Sequence, residues 1–183
     1  DLKRIAEDIT KRKAELGFSA FTSSSLASSS SWRFSGHLAN IPLYYEFSDR
    51  SIVTQPSKLQ GTYLKNFKNL WDLYINNSTA DKTKLGTIDV TTSMAEFALG
   101  KCAMVQNGNW AWSQISGVEG NTVAADDVEF LPIYTGMQDE ETQGLCIGTE
   151  NYLCINKTAS AEQQKLAEDF LYWLFSSSTG KEF

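Results

Sequence analysis

The chain has 183 residues, of which 42% are hydrophobic and 21% charged, enough for one sizeable core or two small ones. Its formal net charge is −6 and its pI about 4.8, a balance that argues against a nucleic-acid backbone or an anionic membrane surface as partner. Cys102, Cys146, Cys154 and the single histidine, His37, match no disulfide framework, CxxC motif or metal-ligand spacing, and no run of about 18 apolar residues offers a membrane span.

Leu2, Ile5, Ala6, Ile9 and Leu16 recur at helical spacing and predict an amphipathic helix over 1–16, with Gly17 as its stop. Phe18 to Phe21 is a short strand candidate. The serine-rich run 22–31 has a flexible linker's composition. Leu26 interrupts it, however, and Trp32, Phe34, Leu38, Ile41, Leu43, Tyr44, Tyr45 and Phe47 follow at once. The preferred reading is a strand-end loop whose serines cap a new helix carrying Trp32. Residues 49–57 read as a polar loop. Tyr63, Leu64, Phe67, Leu70, Trp71 and Tyr74 then form a wide helical stripe, in which Trp71 is packing.

Ser93 and Glu96 have capping-box spacing, followed by Met94, Phe97 and Ala98 on one helical face. Gly100 suits a left-handed C-terminal cap, with Lys101 placing positive charge at the helix's negative end. Cys102 to Gln106 is a short apolar strand, which Asn107-Gly108 stops with a turn signal before Trp110. In open α/β sheets ligands bind outside the carboxyl ends of the strands. A tryptophan there is a lid over the core or a platform for a ligand, and the pattern leaves both open.

Residues 118–127 form a polar loop. Asp126, Asp127 and Glu129 match neither a glycosidase carboxylate pair nor a calcium loop, and read as solvated acids. Val128 to Tyr134 is a strand running into Thr135-Gly136, and 137–143 is acidic and turn-like. From Gly144 to Ile155 apolar alternation resumes, with Gly148, Thr149 and Glu150 in its middle. Ser160 and Gln163 make a second capping box, opening a strongly apolar helix through Leu166, Phe170, Leu171, Leu174 and Phe175 that ends in 176–180. The chain opens inside a helix and closes as another begins, so it reads as an internal piece of a longer protein.

Phe97, Gly100-Lys101, Ala103-Met104, Asn107-Gly108 and Trp110-Ala-Trp112-Ser113 together resemble the family 1 extracellular solute-binding proteins of carbohydrate ABC importers, the family of the maltose-binding proteins. The resemblance is specific at 97–113, good at 144–180 and loose before residue 90. Asn109 departs from it, standing where the maltose branch has proline. The resemblance implies an α/β, periplasmic-binding-protein-like (type II) two-lobe fold. The chain would supply a C-terminal-type lobe over 1–135, a hinge crossover at 136–148, and a segment at 149–183 returning to the N-terminal-type lobe. It implies that Trp110 stacks on a sugar ring and that Trp32 is a second stacking residue. Asn107, Gly148, Thr149 and Glu150 become ligand-binding candidates, Glu150 because a carboxylate can accept two hydrogen bonds from neighbouring hydroxyls.

The implied function is reversible capture of an oligosaccharide by a monomeric, extracellular or periplasmic protein, anchored at the cell surface or free. It would be recognised by the membrane permease subunits of an ABC importer. Neither a cofactor nor a metal is called for. Two alternatives are carried: the same fold binding a non-sugar small solute, kept open by Arg33 beside Trp32, and a carbohydrate-active enzyme or its binding module. The latter lacks a catalytic carboxylate pair or triad in the sequence, so no catalytic residue is assigned.

Overall fold

The computed structural model describes residues 1–23, 25–138, 140–148 and 151–182. They divide into two compact units, Asp1–Cys146 and Ile147–Phe183. Helix α1 (Leu2–Lys11) opens the first unit, and a break at Arg12 separates it from the short α2 (Lys13–Leu16). The single expected helix is therefore two, and Ile5 is exposed while Ala6 is fully buried. Gly17 ends α2 with φ +79, a left-handed conformation that costs glycine little.

Strand β1 (Ser19–Phe21) runs parallel to β2 (Cys102–Met104), pairing Ser19 with Cys102 and Phe21 with Met104. A parallel pair needs a crossover, and here the chain supplies a helical one. After a turn at 28–31 comes a π-helical turn at Arg33–His37, continuous with α3 (Leu38–Asp49). Then follow α4 (Leu64–Asn76) and α5 (Val90–Ala98). The wide π-helical turn lies directly before the stretch that Pro42 deprives of a backbone donor.

The main core gathers Ala6 of α1, Ala20 and Phe21 of β1, Phe34 of the π-helical turn, Leu38 of α3, and Leu70, Leu73 and Tyr74 of α4. Trp71 packs at its margin, 5.2 Å from Phe34 by ring centroids. Leu64 is exposed, because the expected stripe begins one turn early. Asn77 joins three elements. Its Nδ2 donates to Leu73 O (2.8 Å), its Oδ1 accepts from Thr10 Oγ1 (2.6 Å), and its carbonyl accepts from Phe21 N (2.9 Å).

Helix α5 begins earlier than Ser93. Its N-cap is Asp89, extended at φ −93 and ψ 175, with Oδ1 accepting from Thr92 N at 2.9 Å. Ser93 and Glu96 are thus not a capping box; they lie inside the helix and face the serine run. Ser93 Oγ donates to Ser23 O and meets Ser25 Oγ at 2.7 Å. Glu96 Oε2 accepts from Ser23 N (2.6 Å), Ser23 Oγ (2.8 Å) and Thr79 Oγ1 (2.7 Å). Ser30 Oγ accepts from Val90 N at 3.2 Å, occupying an otherwise orphaned donor at the start of α5. The serines do not cap the helix carrying Trp32, which has no side-chain cap bond. They bind the run laterally to α5.

Helix α5 closes in a Schellman motif, with Gly100 at φ +66, Lys101 N donating to Glu96 O (2.9 Å) and Gly100 N to Phe97 O (3.0 Å). A second cluster, Met94, Ala98, Ala111 and Ile115, packs α5 against α6 (Ala111–Ser116). Residues 128–134 form no strand among the described residues, and Phe130 and Leu131 are exposed. Pro132 has no N–H to give a ladder. The turn that follows is closed by Glu140, whose carboxylate accepts from the backbone of Thr135 (2.6 Å), Gly136 (2.8 Å) and Met137 (3.2 Å).

In the second unit, α7 (Ala161–Ser176) carries the expected capping box: Gln163 N donates to Ser160 Oγ at 3.3 Å, and Ser160 N to Gln163 Oε1 at 3.1 Å. Helix α8 (Ser178–Glu182) follows. A Cβ on Gly180 would lie 2.0 Å from Leu174 O, so glycine is needed for the close approach of the two helices.

Two outcomes follow. Ser93→Ala leaves the Ser25 hydroxyl and Ser23 carbonyl without their buried partner, and should lower unfolding free energy by about 1–3 kcal/mol in urea titration. Glu46, buried on α3, accepts from Gln60 N and Thr62 N, both at 2.8 Å, and these bonds hold its pKa below the usual carboxylate value. Asp89 is lowered in the same direction by Thr92. A lowered folded pKa contributes stability above the unfolded value, of about 4, and loses it as pH falls through the folded value. The urea midpoint should therefore drop on acidification below about pH 4, and drop less in Glu46→Gln.

Candidate functional site

Because β1 and β2 are parallel, both strands end on the same side of the sheet. The chain leaving β1 becomes the serine run and then Trp32. The chain leaving β2 becomes Gln106, Asn107, Gly108 and Trp110. The two indoles meet there with ring centroids 6.1 Å apart and planes tilted by 35°. Trp32 is 42% exposed and Trp110 39%, so each has one side packed and one side open. That excludes the reading of Trp110 as a lid sealed inside the core.

The packed sides are well defined. Trp110 precedes α6, and its six-membered ring lies over Gly108; a Cβ on Gly108 would come within 2.2 Å of it. His37 stands edge-on to Trp32 at 4.9 Å and lies 5.7 Å from Trp110. Gln106 Nε2 lies 3.2 Å from His37 Nδ1, linking the β2 end to the π-helical turn. The Arg33 guanidinium lies 4.3 Å from the centre of the Trp32 ring, at cation–π distance. Its Nε donates to Asn107 Oδ1 at 3.0 Å.

Asn107 serves three neighbours. Oδ1 accepts from Arg33 and from Gly108 N (2.9 Å), and Nδ2 points to Met94 Sδ at 3.5 Å. Its amide therefore fixes the Asn-Gly bend and the arginine beneath Trp32. Arg33 is 6% exposed, and burial holds its pKa below the usual guanidinium value. A small cavity of about 10 Å³ lies beside it, lined by Thr22, Ser23, Ser25, Phe34, Tyr74 and Gln106. A larger one, of about 310 Å³, runs between β2, α6 and residues 128–133. Its lining includes the apolar Phe21, Phe97, Ala111, Ile115 and Ile133 beside the polar Gln106, Asn107, Asp127 and Glu129.

The structure brings together Trp32, Trp110 and Asn107 of the residues singled out from the sequence. Gly148 is exposed and belongs to the second unit. Thr149 and Glu150 lie outside the described residues. Sequence reasoning passed over His37 and Gln106 as site residues. The available signal was the spacing of Trp32 and His37, five apart, which shares a helix face only in a π-helical turn.

The family model described as bacterial extracellular solute-binding protein matches residues 1–183. No curated protein and no solved structure matches the chain.

Gly108→Ala should push the indole of Trp110 off its seat. The expected outcome is a changed tryptophan near-UV circular dichroism band and greater acrylamide quenching, with far-UV helicity unchanged.

Proposed function

The chain belongs to the bacterial extracellular solute-binding proteins, and from that premise we propose that it is the substrate-binding component of an ABC importer for an oligosaccharide. The observation that carries this reading is the pair of half-exposed indoles at the common end of two parallel strands. A pyranose has apolar C–H faces and a rim of hydroxyls. Flat aromatic faces bury the former, and neighbouring amide and hydroxyl groups pair with the latter. Two rings tilted by 35° suit adjacent sugar units better than one flat aromatic ligand, which would call for parallel planes.

Trp110 and Trp32 are the proposed stacking residues. Asn107 is proposed as the residue that holds the bend under Trp110, with its amide at the margin of the site. Gly148, at the end of the crossover, and Thr149 and Glu150 just after it are proposed as further ligand-binding residues. The lobes are proposed at 1–135 and 149–183 with the crossover at 136–148, closing over the ligand by hinge motion for recognition by membrane permease subunits. The reading assigns no catalytic residue.

Calorimetric titration with a panel of neutral and acidic oligosaccharides tests the reading. Aromatic contacts are worth roughly 0.5–1.5 kcal/mol beyond the area they bury. Trp110→Ala should therefore weaken binding by about tenfold or more, and Trp32→Ala by a comparable factor. Unchanged affinity in both variants would sink the stacking assignment.

A further inference from the structure

Arg33 is placed where a cation is expensive. It is 6% exposed, and its described contacts are one bond from Nε to Asn107 and the face of Trp32. Both partners are neutral: the hydrogen bond uses Nε, and the ring of Trp32 meets the guanidinium as a whole. The first turn of the helical run 33–49 holds no acidic residue, and a helix's amino end is where positive charge is least favoured. Of the nearby carboxylates, Glu96 is taken by Ser23 and Thr79, and Asp127 and Glu129 line the larger cavity that shares Gln106 and Asn107.

The small cavity beside Arg33 has the same character. Its polar lining comprises hydroxyls of Thr22, Ser23 and Ser25, the phenol of Tyr74, and the amide of Gln106. Burial raises the pKa of Tyr74, which keeps it neutral and able to donate. Gln106 Oε1 is buried without a hydrogen-bond partner. With the Ser23 hydroxyl given to Glu96 and that of Ser25 to Ser93, the wall offers one cation, the hydroxyl-bearing Thr22 and Tyr74, one unused acceptor and no carboxylate of its own. Buried charges are normally paired, and among the described contacts Arg33 has no anionic partner.

We propose that the captured saccharide is acidic, and that its carboxylate or phosphate is bound by the Nη groups of Arg33 beside the Trp32–Trp110 pair. This rests on the saccharide-binding reading above and narrows its substrate class. A guanidinium fork matches the two oxygens of such an anion. With about 10 Å³ available, one anion oxygen enters the cavity while the sugar ring stays on the indoles. A hydroxyl beside the anion donates to Gln106 Oε1.

The test is calorimetric titration of the purified protein with matched saccharides of the glucose, galactose and mannose types. Each is supplied as a neutral trisaccharide, as its uronic-acid trisaccharide and as a sugar phosphate. One acidic form should bind about tenfold more tightly than its neutral match or better, with an affinity that falls as salt rises. The preferred acid identifies the anion as carboxylate or phosphate. Arg33→Met should erase the preference of acidic over neutral forms, and Arg33→Lys should retain part of it. If Arg33→Met does not fold, the wild-type preference decides alone. Equal or tighter binding of the neutral forms overturns the inference, leaves the saccharide reading standing and makes the cavity a water site. Binding of no saccharide of any kind overturns that reading and the inference with it.

Discussion

The lateral bond between the serine run and α5 is the constraint on which the site depends. Ser23 and Ser25 meet Ser93, Ser23 also meets Glu96, and Ser30 meets the first amide of α5. Without these bonds a polar stretch after β1 would pay the full entropy of ordering with little apolar burial to offset it. With them, the chain after β1 is fixed to the helix that leads into β2. The position of Trp32 relative to Trp110 is therefore set by backbone and hydroxyl groups, not by the indoles themselves.

The candidate site is rigid behind and open in front. Gly108 provides the space that seats Trp110, and Asn107 holds the bend beside it. His37 and Arg33 support Trp32 from two directions. An aromatic platform held this way loses little rotamer freedom when a ligand arrives, which favours affinity without added contact area.

Local signals were legible in the sequence where the partner lies within a few residues. Gly100 reads as a left-handed cap and is one, and Ser160 with Gln163 reads as a capping box and is one. The same spacing at Ser93 and Glu96 misleads, since their partners are Ser23, Ser25 and Thr79, on other segments. The serine run resembles a linker in composition because much of its order comes from such distant bonds. Residues 128–134 have the composition of a strand, yet a strand also needs a neighbour, which composition does not report. In the site, the two tryptophans were visible as residue types in suggestive places. The support from His37 and Gln106 was hidden in a helix turn of unusual width.

That wide turn bears on how the protein can change. A π-helical turn amounts to one residue more than α-helical winding requires. Losing a single residue between 33 and 37 would restore regular winding and take away the five-residue spacing that sets His37 against Trp32. Leu38 and Ile41 would keep their buried places on α3. The width of this turn thus ties the seat of Trp32 to the place of Phe34 in the core, and a one-residue change within it touches both.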